Sequence, residues 1–152
     1  MAIIPAEPLT ASTAAVGAGQ LALLIPVGDD TYALPLAKVR EVAVEPRVTE
    51  LPTSPPLVLG VFNLRGEIVP LFDTGLLLGL PAVRQGNYAV LVETEHGVAG
   101  LAATEMPLTV RLSESVGRSE MEATTETFLV GDRRLAVALD IDALLSPARI
   151  SR

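Results

Sequence analysis

Few side chains in this 152-residue chain could do chemistry. His96 is the only histidine, in Thr94-Glu95-His96-Gly97. A catalytic or metal role would need converging partners, and only Glu93 and Glu95 lie close in sequence. One histidine without cysteine cannot build a tetrahedral zinc site of the usual kind, so His96 reads as an exposed turn residue and no metal is expected. Asp29-Asp30 follows Gly28 between two apolar runs and reads as turn chemistry. Asp73 and Asp140 each precede a short apolar stretch and read as helix caps. Arg133-Arg134 reads as a solvated edge. No Gly-x-x-x-x-Gly-Lys phosphate loop and no Gly-x-Ser-x-Gly elbow occurs. No catalytic constellation and no cofactor is expected.

Arg65 stands apart. Residues 60–73 read as an apolar strand, a tight turn at Arg65-Gly66, a second apolar strand and an acidic cap. A cation at the tip of a buried hairpin is costly to orient unless something outside the core uses it. Glu41 is the expected internal partner for its guanidinium. If exposed, that pair is worth at most about 1 kcal/mol.

The elements that must hold this hairpin are mainly β. Hydrophobic residues make up 49% and charged residues 19%, as in a globular protein. The formal net charge of −7 argues against nucleic acid and against anionic membranes. The longest apolar runs, such as Leu21 to Val27, are strand-sized and far short of the roughly 20 residues a membrane helix needs. No cysteine and no secretory signal are seen, which points to the cytoplasm. Residues 1–19 read as a flexible leader, 20–148 as the folded domain and 149–152 as a tail.

An internal repeat sets the expected architecture. At an offset of 67 residues, Gln20-Leu21-Ala22-Leu23-Leu24-Ile25 falls on Asn87-Tyr88-Ala89-Val90-Leu91-Val92. At the same offset Ile68-Val69-Pro70-Leu71-Phe72-Asp73 falls on Leu135-Ala136-Val137-Ala138-Leu139-Asp140. The halves are expected as lobes at about 20–85 and 86–148, each a small five-stranded β-barrel closed to hide its edges. Aromatic residues are only 3%, so Phe62, Phe72 and Phe128 are the expected large anchors. Tyr32 and Tyr88 lie far apart and there is no tryptophan, which counts against a proline-rich-peptide groove.

The stretch Gly60-Val61-Phe62-Asn63-Leu64-Arg65-Gly66, followed by Ile68-Val69-Pro70-Leu71-Phe72-Asp73, resembles the signature of the CheW family. Supporting segments are Tyr32-Ala33-Leu34-Pro35-Leu36, Val39-Arg40-Glu41-Val42, Leu51-Pro52 and Leu139-Asp140-Ile141-Asp142-Ala143-Leu144-Leu145. The resemblance implies a mainly all-β fold of two SH3-like five-stranded barrels with short helices. It implies a non-enzymatic adaptor that couples the cytoplasmic tips of chemoreceptors to the regulatory domain of a CheA-type histidine kinase. Carried over by position, Arg65, Val39, Glu41, Asn63 and Gly66 are the expected partner-binding residues. Thr74-Gly75 and Ala102-Ala103 depart from the family pattern. Two other readings remain: an adaptor of a related system controlling type IV pili, and a ligand-binding β-barrel with its ligand between the lobes.

Overall fold

The structure, a computed structural model, describes residues 16–83, 86–131 and 133–150. Among the described residues, eleven strands form two sheets. The chain runs β1 (Leu21–Val27), β2 (Asp30–Pro35), β3 (Val39–Val44), β4 (Val58–Leu64), β5 (Glu67–Phe72), α1 (Thr74–Leu77) and β6 (Tyr88–Thr94). It continues through β7 (Gly97–Ala103), β8 (Leu108–Arg111), β9 (Ser115–Arg118), β10 (Thr124–Val130), β11 (Arg134–Leu139), α2 (Ile141–Leu144) and α3 (Pro147–Ile150). One sheet has the order β8-β1-β2-β11-β10-β9 and the other β3-β6-β7-β5-β4.

The sheets cut across the expected halves at 20–85 and 86–148. Each repeat keeps its first hairpin with the opposite repeat's later strands. Thus β2 pairs in parallel with β11, and β5 in parallel with β7. The registers are equivalent: Ala33 opposite Ala138 becomes Gly100 opposite Leu71 when each strand is moved by the repeat offset. The duplication shapes the fold, but as a reciprocal strand exchange. β1, β2 and β8–β11 make a first barrel, and β3–β7 make a second.

Both barrels close the same way. β8 pairs with β1, and the chain then bends at Leu112 so that β9 reaches β10 on the far edge. Leu112 donates to Gln20 O, and Ser113 then donates to Leu129 O. The sixth strand of that sheet is therefore the second half of one bent path, which reconciles the six-membered order with a five-stranded barrel. In the second barrel, β3 pairs with β6, and Thr49 then exchanges hydrogen bonds of 2.7 and 2.9 Å with Val61. Gly60 permits that approach: its φ is +152°, and a Cβ there would lie 2.3 Å from Thr49 O. These are the closed SH3-like barrels the sequence led us to expect.

Period-two alternation explains why β1 reads as a continuous apolar run. Leu23, Ile25 and Val27 face a core shared by both barrels, and Ala22 and Leu24 fill the first barrel's interior. β6 repeats this, with Val90 and Val92 in the shared core and Ala89 and Leu91 inside the second barrel. Phe128 anchors the first interior, Phe62 the second, and Phe72 the shared core. Leu77, Ile141 and Leu144 of the short helices plug the shared core.

Both acidic caps form. Asp140 Oδ1 accepts from Ala143 N at 3.2 Å, and Asp73 Oδ1 accepts from Leu76 N at 3.0 Å and Val83 N at 2.9 Å. Asp73 is the more buried of the two and holds the chain after α1 as well as its start. Asp73→Ala is therefore expected to cost about 1–3 kcal/mol and Asp140→Ala about 1 kcal/mol. Urea-denaturation midpoints that reversed this order would contradict the assignment.

Of the expected leader, residues 1–15 lie outside the described residues. Residues 16–19 lie against the first barrel: Val16 is buried in its interior, and Gly19 N donates to Leu112 O at 2.8 Å. Of the expected tail, Arg149 and Ile150 belong to α3, and residues 151–152 lie outside the described set.

Tyr32 sits fully inside the shared core, and its Oη has no hydrogen-bond partner among the described residues. Burial, and secondarily the Asp30 carboxylate, push its pKa above the ordinary phenol value. The fold keeps the neutral phenol. That contribution to stability is complete below the unfolded-state pKa of about 10 and is lost as pH rises through the higher folded-state value. Tyr32→Phe is expected to leave the neutral-pH midpoint unchanged or higher and to flatten the alkaline fall. Identical alkaline branches in the two proteins would refute this.

Candidate functional site

The β4–β5 hairpin turns in two residues, with Leu64 opposite Glu67. Arg65 has φ +50° and Gly66 φ +89°, both in the left-handed region, as a type I′ turn requires. Its twist matches the flanking strands, which keeps the hairpin straight and rigid. Asn63 Oδ1 accepts from Gly66 N at 2.8 Å and ties the turn from below. Glycine occupies the left-handed region freely, whereas a residue with a Cβ pays roughly 1–2 kcal/mol. Arginine at this tip is a local strain that asparagine or glycine would largely relieve.

The guanidinium has a fixed anchor. Arg65 Nη2 donates to Glu41 Oε2 of β3, across the seam between the first and last strands of the sheet order. The Glu41 side chain is 16% exposed and that of Arg65 66%. The carboxylate is sunk in the wall and the guanidinium stands out over it. One contact uses one of the five N–H donors of arginine. The others can serve an acceptor from outside.

A second ion pair lies beside the first: Arg40 Nη1 donates to Glu67 Oε1 at 3.0 Å. In a regular strand the adjacent residues Arg40 and Glu41 would point to opposite faces. Here β3 carries a bulge: Val39 opposes Val92 and Glu41 opposes Leu91, leaving Arg40 as the extra residue. The bulge re-aims neighbouring side chains so that both reach the hairpin. Ile68, next to Glu67, is 62% exposed and adds an apolar element to the charged surface.

The structure thus brings Arg65, Glu41, Asn63 and Gly66 together. It does not bring Val39 to this surface: Val39 is buried in the shared core and anchors the start of β3. Sequence reasoning missed Arg40 and Glu67. Their available signal was complementary order, since Arg40-Glu41 meets Arg65 and Glu67 with opposite signs. The repeat counterpart of Arg65, Asp132, lies outside the described residues. His96 is exposed in the β6–β7 turn, where its backbone N donates to Thr94 Oγ1 at 3.0 Å. Arg134 opens β11 and is exposed. Among the described residues no group of three or more His, Cys, Asp or Glu is arranged to hold a metal ion.

Two closed barrels fused through one core, with a rigid charged hairpin on the outside, define a two-lobed protein whose distinctive feature is a presented surface. The chain belongs to the CheW-like domain family, whose family model matches residues 21–149. It is 28% identical over 127 residues to the chemotaxis protein CheW of Helicobacter pylori, covering 78% of this chain and 77% of that one. Over 82 residues it is 35% identical to protein PilI of Pseudomonas aeruginosa, covering 53% of this chain and 46% of that one. The crystal structure of the scaffolding protein TtCheW from Thermoanaerobacter tengcongensis superposes with a TM-score of 0.74 at 19% identity. That match covers 84% of this chain and 93% of the other, and it speaks for the fold.

Proposed function

We propose that this chain is a non-enzymatic chemotaxis adaptor, a scaffold that couples chemoreceptors to a CheA-type histidine kinase. Membership of the CheW-like family over nearly the whole described chain supports the adaptor role. The observation that carries the site is Arg65, an arginine held in a left-handed turn and steadied by a sunken glutamate. Strain kept where an easier residue exists points to use of the side chain. In this reading Arg65, Glu41, Asn63 and Gly66 form or shape the partner surface, and Val39 supports it from below. The partners are the kinase's regulatory domain and a receptor's cytoplasmic tip, and the place of action is the cytoplasm. Among the described residues no helix is long and apolar enough to cross a membrane.

The mechanism is geometric. The shared core fuses the barrels into one body, so partners bound to it keep a fixed relative position. A receptor state that favours one array geometry then biases the kinase by its differential fit. The test is reconstitution with receptor-bearing membranes and the kinase from the same source. Adding the protein is expected to raise kinase autophosphorylation and place it under receptor control. Kinase activity indifferent to the protein would contradict the coupling role. The identity to PilI gives a second reading, in which the partners belong to a related system controlling type IV pili. The same assay with pilus-system components distinguishes the two.

A further inference from the structure

Two ion pairs meet at the β4–β5 hairpin, and the proposed partner surface uses only the one at Arg65. The other, Arg40 Nη1 to Glu67 Oε1 at 3.0 Å, is explained by how the hairpin is attached. The last backbone link from β4 toward the β3 side is the bridge of Val61 with Thr49, and the ladder from β5 to β7 begins only at Leu71. Beyond those points, Asn63 to Ile68 pair with one another and, among the described residues, with no further strand. Apart from half-buried Leu64, these residues are exposed. The tip is thus a two-stranded ribbon projecting past the closed barrel wall, and such a ribbon has little stability by itself. Its turn keeps it straight, yet it can tilt as a unit about its base, where Phe62 and Val69 are buried.

The charges at the tip are ordered. The hairpin offers Arg65 in the turn and Glu67 at the start of β5, while β3 offers Glu41 and, through its bulge, Arg40. Cation meets anion at both points. A tilt that carried Arg65 toward Arg40 would bring like charges together. Two attachments on neighbouring residues of β3 also resist a rotation that a single attachment would permit.

We infer that Arg40 and Glu67 are positioning residues for Arg65: their ion pair clamps the projecting tip onto β3, so the guanidinium is already aimed when a partner arrives. This rests on the reading of Arg65 as a partner contact. Holding the tip in its bound orientation removes ordering cost from association, and affinity rises without a new contact to the partner. Arg40 and Glu67 act through Arg65 and do not themselves touch the partner.

The test is a double-mutant cycle, read by calorimetric titration of the full chain with the kinase regulatory domain at low ionic strength. Arg40→Gln and Glu67→Gln are each expected to weaken binding about two- to fivefold, the range of an exposed ion pair. Both together should cost no more than either alone. In an Arg65→Gln background, Arg40→Gln should have no further effect. A second readout needs no partner: the NMR order parameter of the Arg65 Nε–Hε group should fall in both single variants, while the urea midpoint moves little. Unchanged affinity in both single variants, additive losses, or a loss from Arg40→Gln that persists without Arg65 would overturn the proposal. An Arg65 order parameter unchanged in both variants would overturn it as well. Failure of the unmutated chain to bind, or Arg65→Gln binding as tightly as the unmutated chain, would instead sink the reading of Arg65 as a partner contact, and the order parameter still decides whether the clamp exists.

Discussion

Phe72→Ala is expected to lower the unfolding free energy by about 3–5 kcal/mol. Phe72 ends β5, is 6% exposed, and pairs with Val58 on one side and Leu101 on the other. It lies in the shared core, where no interior of a single barrel can collapse to fill the space it leaves. Removing it withdraws packing from both barrels at once. Unfolding should therefore remain one cooperative transition, shifted to lower denaturant, with no separate loss of one barrel. Ile68→Ala, four residues earlier and largely exposed, should change stability by no more than about 0.5 kcal/mol. A chemical-denaturation midpoint that barely moves for Phe72→Ala would remove this side chain from the core and break the account of how the barrels are joined.

The second large effect is on binding. Arg65→Glu is expected to weaken association with the kinase regulatory domain by about 1–3 kcal/mol, or roughly fivefold to 150-fold. It reverses the charge that stands above Glu41 and leaves two carboxylates at the seam. Arg65→Asn separates fold from function. Asparagine tolerates the left-handed turn and forms the favoured Asn-Gly pair of a type I′ hairpin. That variant should gain about 0.5–1 kcal/mol of stability, within the cost of holding a side chain left-handed, and still bind less well. Loss of folding in both variants would make Arg65 structural. Unchanged affinity in both would remove it from the interface.

Much of the fold was legible because the repeat and the period-two runs record which residues must be hidden. β5 and β11 fall at one offset, as do the caps Asp73 and Asp140, and the structure forms all four. What the offset could not reveal was which hairpin pairs with which. Similar segments have similar edges, and the parallel pairings of β2 with β11 and β5 with β7 follow from the path of the connecting chain. The run at β1 marked a strand buried on both faces, but its division between two cores needed the second barrel in place.

The candidate site was legible where it is local. Asn63, Arg65 and Gly66 lie within one hairpin, and its turn chemistry is written in adjacent residues. Glu41 was accessible as the acidic neighbour of an apolar strand. Arg40 and Glu67 were not, because a bulge sets their direction and a bulge leaves little trace in residue type. Val39 shows the opposite failure: it lies beside the site in sequence and points into the core. The Lys38–Asp142 ion pair, at 2.9 Å and separated by 104 residues, had no sequence signal. It ties the turn at Leu36–Lys38, ahead of the second barrel, to α2 behind the first.

Kinase binding is measured by calorimetric titration of this chain into the regulatory domain of a chemosensory kinase from its own source. The Arg65→Glu chain serves as the parallel control. The expected result is affinity in the micromolar range or tighter, reduced by the charge reversal. No heat of binding with any such kinase from that source, under conditions where both proteins are folded, would contradict the adaptor account.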